Sequence, residues 1–308
     1  MLFTVLVVLI FAAVLAISYI CYRMAFHVSA RERAENEAKT TPDGAEYDTY
    51  RPQMERWVQE LLQMPYESFE IESFDGLRLC GKFYEFAPGA PIELMFHGYR
   101  GTAVRDLSGG VRRCFSLGHS ALIVDQRGSG RSEGNTITFG INEHKDCLRW
   151  AAFAAAHFGP DVKIILTGIS MGAATVLMAS DKDLPENVIG ILADCGFSSA
   201  RVIIGKAIEE MGLPIPLVYP FIKLGAKLFG HFDLEADSPL KSVKNSRLPI
   251  IFFHGEADDF VPCDMSRELY ELCASKKNIL TVPGAAHGLS YPAAPEKYLS
   301  AMREFFPV

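Results

Sequence analysis

Hydrophobic and polar positions follow three different patterns along this chain. From Leu2 to Tyr22 there are 21 residues without a charge. At about 1.5 Å per residue, that is enough helix to cross a hydrocarbon core of ~30 Å. Residues 28–50 are charged and carry no large aliphatic beyond Val28, as expected of a juxtamembrane helix and linker. Pro52 then opens a predicted helix whose Met54, Trp57, Val58, Leu61 and Leu62 share one apolar face. Ile71 and Phe74 before Asp75-Gly76, with Leu77, Leu79 and Phe83 after it, read as a hairpin.

Beyond Pro88-Gly89-Ala90-Pro91 the third pattern begins. Short runs read as apolar throughout recur at Ile92–Phe96, Ala121–Val124, Lys163–Leu166, Val188–Ala193, Leu248–Phe253 and Ile279–Val282. Strands buried on both faces read this way. Helical segments such as Asn142–Phe158 and Met171–Ala179 lie between them, so a mainly parallel sheet covered on both sides is expected. Between Phe197 and Pro239 no strand pattern occurs. Ile203, Ile204, Ala207, Ile208 and Met211 share a helical face, and a second apolar stretch runs from Leu217 to Phe229. A connection this long in a compact domain is usually functional.

Composition narrows the class. Of 308 residues, 49% are apolar and 22% charged, which allows a sizeable core and argues against disorder. A net charge of −7 and the lack of any basic stripe exclude a nucleic-acid partner. Seven scattered cysteines, odd in number and without CxxC spacing, fit reduced thiols in a cytosolic setting better than a disulfide framework or a zinc site. For the N-terminal run, a retained anchor fits better than a cleaved signal. No basic residue precedes it, it is long, and Ser18-Tyr19-Ile20-Cys21-Tyr22 is a poor cleavage site. Arg23, Arg31, Arg33 and Lys39 follow it, which by the positive-inside rule puts the rest of the chain on the cytoplasmic side.

The sharpest chemical signal is Gly168-Ile169-Ser170-Met171-Gly172, a G-x-S-x-G between a predicted strand and a predicted helix. A sharp turn there lifts the serine hydroxyl above the sheet edge, and the helix behind it points its positive end at developing negative charge. In this context the chain from Ser68 to Val308 resembles the α/β-hydrolase superfamily. The resemblance implies an eight-stranded sheet with helices on both faces and a chain order of serine, acid, histidine. Its G-x-x-D-x-x-V-P pattern fits Gly255, Asp258, Val261 and Pro262, which makes Asp258 the acid; Asp194 is the reserve. His287, in Gly284-Ala285-Ala286-His287-Gly288, is the one histidine after that acid and the expected base. By the same resemblance, the backbone N–H groups of Tyr99 (in His97-Gly98-Tyr99) and Met171 form the oxyanion hole. For Tyr99 only the amide is expected to matter.

Asp125-Gln126-Arg127-Gly128-Ser129-Gly130-Arg131-Ser132 reads as a structural loop beside this site. Its third glycine, Gly134, comes one position too late for G-x-G-x-x-G. His254 with Asp259 resembles an acyltransferase spacing, but it falls at a strand end inside the acid motif and is set aside. No metal-ligand cluster and no cofactor are implied. The expected organisation is an anchor at 1–24, a linker at 25–50 and a hydrolase domain at 51–308, with a helical cap at 197–239. The expected activity is cleavage of a carboxylic ester through an acyl-enzyme on Ser170, with a small-molecule ester as substrate and a hydrophobic acyl group left open. The rival readings are a peptidase or acyltransferase of the same fold, or a non-catalytic binding protein.

Overall fold

The structure, a computed structural model, describes residues 1–307. The uncharged run forms helix α1 (Leu2–Ala25), long and apolar enough to cross a membrane. Helix α2 (Ala30–Ala38) starts at a capping box: the Ser29 side chain accepts from the Glu32 amide, and the Glu32 carboxylate accepts from the Ser29 amide. Helix α3 (Arg51–Gln63) follows, and then the hairpin of β1 (Glu67–Glu72) and β2 (Arg78–Tyr84).

From there strands and helices alternate as the apolar runs predict. They are β3 (Ile92–Phe96), α4 (Ala103–Leu117), β4 (Ser120–Val124), α5 (Glu143–Phe158), β5 (Ile164–Ile169), α6 (Met171–Ala179) and β6 (Val188–Asp194). Helices α7 (Ala200–Glu210) and α8 (Ile215–Phe229) occupy the long insertion, and α9 (Pro239–Ser242) closes it. The chain ends with β7 (Ile250–Gly255), α10 (Cys263–Leu272), β8 (Lys277–Val282), α11 (Ser290–Ala293) and α12 (Pro295–Phe305).

The eight strands form one sheet in the order β1-β2-β4-β3-β5-β6-β7-β8. It is mixed: β2 runs antiparallel to both neighbours, and β4 to β8 with β3 are parallel. The period of two along each strand splits the core. Leu94, Phe96, Leu122, Val124, Leu166 and Phe252 pack with Trp150 of α5 and Val176 of α6. Met95 and Ile123 pack with Val111 of α4, and Ile251 and Phe253 with Tyr298 and Met302 of α12.

Ile92–Phe96 is not apolar throughout. Glu93 sits in mid-strand, fully buried. It is ion-paired to the buried Arg113 of α4 and accepts from Thr167 Oγ1 at 2.9 Å, with His119 Nδ1 at 3.2 Å. Burial alone would raise its carboxyl; the Arg113 charge and the His119 and Thr167 hydrogen bonds outweigh it and bring it from 4.5 to about 2. A carboxyl lowered on folding stabilises above its unfolded value, and that contribution is lost as pH falls from about 4.5 toward 2, roughly 3 kcal/mol in all. Glu93→Gln leaves Arg113 buried without its partner and is expected to cost about 3–5 kcal/mol at neutral pH. The variant also flattens the acid limb, which unfolding midpoints of both proteins in detergent across that pH range will measure.

The end of α1 is built into the domain. Ser18 and Tyr22 are buried against α8, where a Cβ on Gly225 would lie 2.3 Å from the Ser18 carbonyl oxygen. Only glycine allows that approach. Tyr22 OH shares a hydrogen bond of 2.7 Å with Thr136 Oγ1, and Phe26 is buried edge-on to Phe139 and Phe232. Residues 28–50 also follow the domain surface. Arg33 donates to the Ser132 and Gly134 carbonyls, and Arg100 pairs with Glu32 at 3.1 Å.

Candidate active site

Strand β5 ends at Ile169 and α6 starts at Met171, so Ser170 alone makes the turn. Its backbone is held at φ 56°, ψ −118°, a region that non-glycine residues rarely enter. The flanking glycines are needed for contact reasons. A Cβ on Gly168 would lie 2.1 Å from the Gly172 carbonyl oxygen, and one on Gly172 would lie 2.0 Å from that of Phe96. The Ser170 amide donates to the Asp194 carbonyl at 2.8 Å, which pins the elbow to β6.

Three loops converge on this hydroxyl. His287, after β8, places Nε2 2.9 Å from Ser170 Oγ, and its Nδ1 lies 2.7 Å from Asp258 Oδ2. Asp258, after β7, is buried and heavily hydrogen-bonded. Its Oδ1 accepts from the Phe260 and Val261 amides at 3.0 and 2.8 Å. Burial raises its carboxyl, but hydrogen bonds from His254, His287 and the Val261 amide prevail and hold it at about 2. It is therefore an anion at neutral pH, suited to fixing the Nδ1–H tautomer of His287.

His254 is the residue that sequence reasoning set aside. It is fully buried, and its Nε2 lies 3.1 Å from Asp258 Oδ2 and 2.8 Å from the Val261 carbonyl oxygen. Both neighbours only accept, so Nε2 carries the proton. Nδ1, 2.6 Å from Ser266 Oγ, then accepts from that hydroxyl. Asp258 thus bridges two imidazoles. The four-residue spacing from His254 to Asp258 is present in the sequence, one position short of the spacing to Asp259. The carboxylate of the reserve acid Asp194, at the end of β6, is engaged elsewhere: it accepts from Ser290 Oγ and Tyr298 OH, each at 3.0 Å.

On the opposite side of Ser170 lies the loop His97–Gly101. A Cβ on Gly98 would lie 3.5 Å from that of Ser170. Among the described residues, no protein acceptor takes the Tyr99 or Met171 amide, so both donors are free for a ligand. The loop Asp125–Ser132 braces this one. Gln126 donates to the His97 carbonyl at 2.7 Å through its side chain and to His97 Nε2 at 3.0 Å through its amide. Arg127 is anchored on Asp146 and Asp75. The Tyr99 side chain matters more than expected. Its ring stacks on Phe139 at 5.0 Å, and its hydroxyl donates to the Ala25 carbonyl at 2.8 Å.

An apolar cavity of about 340 Å³ opens beside Ser170, lined by Tyr99, Phe139 and Phe197 and by Ile204, Ile208 and Val218 of α7 and α8. That volume lies at the lower end of the ~300–1,000 Å³ typical of small-molecule sites. Cys195 Sγ lies 3.9 Å from His287 Nε2, and Cys195, Asp258 and His287 could in principle converge on an ion. Burial, with the Asp194 and Asp258 charges, pushes the Cys195 thiol well up, and both imidazole nitrogens face other partners. The set suits proton transfer better than metal binding.

A hydroxyl raised off the central strand, with carboxylate and imidazole following it in the chain at later strand ends, is the layout of the α/β-hydrolases, and the chain is a hydrolase of that class. The esterase Pf2001 of Pyrococcus furiosus shares the fold, with a TM-score of 0.65 at 20% identity over 80% of this chain and 92% of its own. Within the class the chain belongs to the prolyl oligopeptidase family, whose sequence profile matches residues 113–307. The uncharacterised protein YqkD of Bacillus subtilis is 26% identical over 246 residues, 79% of this chain and 80% of its own. The lysophosphatidylserine lipase ABHD12 of Danio rerio is 26% identical over 212 residues, 64% of this chain and 52% of its own.

Proposed function

We propose that the protein hydrolyses carboxylic esters through an acyl-enzyme on Ser170. The observation that carries this is the unbroken hydrogen-bonded line from Ser170 Oγ through His287 to Asp258, beside an apolar cavity. His287 Nε2 takes the hydroxyl proton as Oγ bonds to the ester carbonyl carbon. The carbonyl oxygen becomes an oxyanion held by the Tyr99 and Met171 amides at the positive end of α6. The carbon–oxygen bond to the alcohol breaks, and the alcohol leaves with the proton from His287. Water then repeats the sequence on the acyl-enzyme, releasing the carboxylic acid and restoring Ser170. Asp258 holds the imidazole and offsets its positive charge. The esterase and lipase relatives support an ester substrate.

A fluorophosphonate probe tests the reading: it is expected to label the wild-type serine and not Ser170→Ala. A series of para-nitrophenyl esters then sizes the pocket. Each methylene buried adds about fourfold to kcat/KM (~0.8 kcal/mol) until the chain outgrows the cavity. The family match favours a second reading, a peptidase. Turnover of prolyl amides at rates matching the esters would favour it. The almost wholly apolar cavity speaks for an acyl chain instead, since a peptide backbone needs polar partners.

His254 acts in this scheme as a positioning residue for Asp258. His254→Phe removes its N–H from Asp258 and is expected to lower kcat/KM roughly 10- to 100-fold. His254→Gln, which keeps an N–H, should recover part of that loss, which steady-state kinetics on one ester will show.

We assign residues 1–24 as a retained membrane anchor, 25–50 as a connecting strap, and 51–308 as the hydrolase domain with a cap at 197–239. Cleavage of α1 as a signal would strip buried Ser18 and Tyr22 from the core, which favours retention. The basic residues after α1 favour a cytoplasmic domain. Protease protection in sealed vesicles tests the orientation.

A further inference from the structure

Resting on the ester-hydrolase reading, we infer that the membrane helix is part of the substrate site: the last turns of α1 form one wall of the acyl cavity, which takes the single chain of a monoacyl lipid drawn from the bilayer in which α1 stands. Cys21, Met24 and Ala25 of α1 line the same cavity as Ser170. Met24 is also 57% exposed on the outer face of α1, so the lining continues onto the surface of the helix. Across from it, Met211 and Leu213, between α7 and α8, likewise line the cavity and are exposed, and Leu217 beside them is 63% exposed. The mouth is therefore an apolar rim shared by anchor and cap.

The depth of this rim follows from the charge pattern. Arg23 is the first charge after the uncharged run Leu2–Tyr22, and such a residue marks the hydrocarbon–headgroup boundary. Cys21, Met24 and Ala25 flank it, so the mouth lies where the chain of a bilayer lipid meets its ester. One chamber of about 340 Å³ beside one serine suits one chain.

The wall is also fixed relative to the chemistry. Tyr99 OH donates to the Ala25 carbonyl at 2.8 Å, and Arg100 Nη2 donates to the Met24 and His27 carbonyls at 3.0 and 3.2 Å. These bonds satisfy carbonyls left open at the end of α1. They come from the two residues that follow His97-Gly98, the loop that supplies the Tyr99 amide. Displacing α1 would move both the acyl wall and that amide.

The test uses full-length protein in phosphatidylcholine vesicles. Ser170→Ala, which holds substrate uncleaved, is irradiated with a palmitoyl lysophosphatidylcholine bearing a diazirine at the chain end. Crosslinks on Cys21–Ala25 as well as on α7 or α8 are expected; crosslinks confined to the cap overturn the inference. In a second arm, Ala25→Trp fills the wall in an enzyme that retains Ser170. The ratio of kcat/KM for palmitoyl lysophosphatidylcholine to that for para-nitrophenyl acetate should fall roughly tenfold or more. An unchanged ratio overturns the inference, and Cys21→Trp replaces the variant if its melting curve shows no folded state. If the wild type turns over neither ester, the hydrolase reading fails and takes this inference with it. If it turns over the acetate but α1 is never crosslinked, only the role of α1 falls.

Discussion

Ser170→Ala should lower kcat for ester hydrolysis by about 10⁶, the loss seen when a triad nucleophile is removed from a serine protease. The residue is not replaceable by a neighbour. Cys195 is the nearest other nucleophile to His287, at 3.9 Å, but its thiol is buried and held protonated. Water positioned by His287 and the two loop amides should leave a residual rate of roughly 10³–10⁴ over the uncatalysed reaction. The fold should survive, because Ser170 is fixed through its backbone amide to Asp194 rather than through its hydroxyl. Removing a hydroxyl from a φ of 56° leaves the strain unchanged. Single-turnover kinetics with a melting curve for each protein separates lost chemistry from lost structure.

Asp258→Asn should lower kcat by about 10⁴ with little change in KM. An asparagine fits the same space and its oxygen can still accept from the Phe260 and Val261 amides. Its NH₂ then faces His287 Nδ1 and His254 Nε2, where the carboxylate oxygen accepted from both. Facing a donor, His287 turns its Nδ1 into an acceptor, which puts the proton on Nε2. That nitrogen then meets Ser170 Oγ with a hydrogen already in place and cannot take another. The charge that steadied the imidazolium is lost as well. His254 makes this site harsher than one with a single imidazole, since its N–H also loses its anionic acceptor. Imidazole NMR of the wild type and the variant, observing which nitrogen of His287 carries the proton, checks the cause independently of rate.

Much of this site was readable before folding. The elbow needed only two glycines around a serine and the strand and helix signals beside them. The chain order of Asp258 and His287 followed from the resemblance. What stayed hidden depends on faces and register. Glu93 falls in a run of apolar residues, and nothing local says that Arg113, twenty positions later, turns toward it from α4. His254 precedes Asp258 by four residues, and only the fold shows that it reaches the same Asp258 oxygen as His287. The role of the Tyr99 side chain is invisible locally because its partner, the Ala25 carbonyl, lies 74 positions away. A polar side chain met by a distant backbone atom leaves no periodic trace.

The way α1 is seated on α8 has a kinetic consequence. Ser18 meets Gly225 without a side chain between them, Tyr22 is bonded to Thr136, and Phe26 is enclosed. With α1 in a bilayer, no swivel separates anchor from hydrolase, and the serine is held at one height above a single leaflet. For the monoacyl lipid proposed above, substrate supply is then two-dimensional. Turnover should track the mole fraction of substrate in that leaflet rather than its amount per volume of solution, so inert lipid added at constant total substrate dilutes the enzyme's world and slows it.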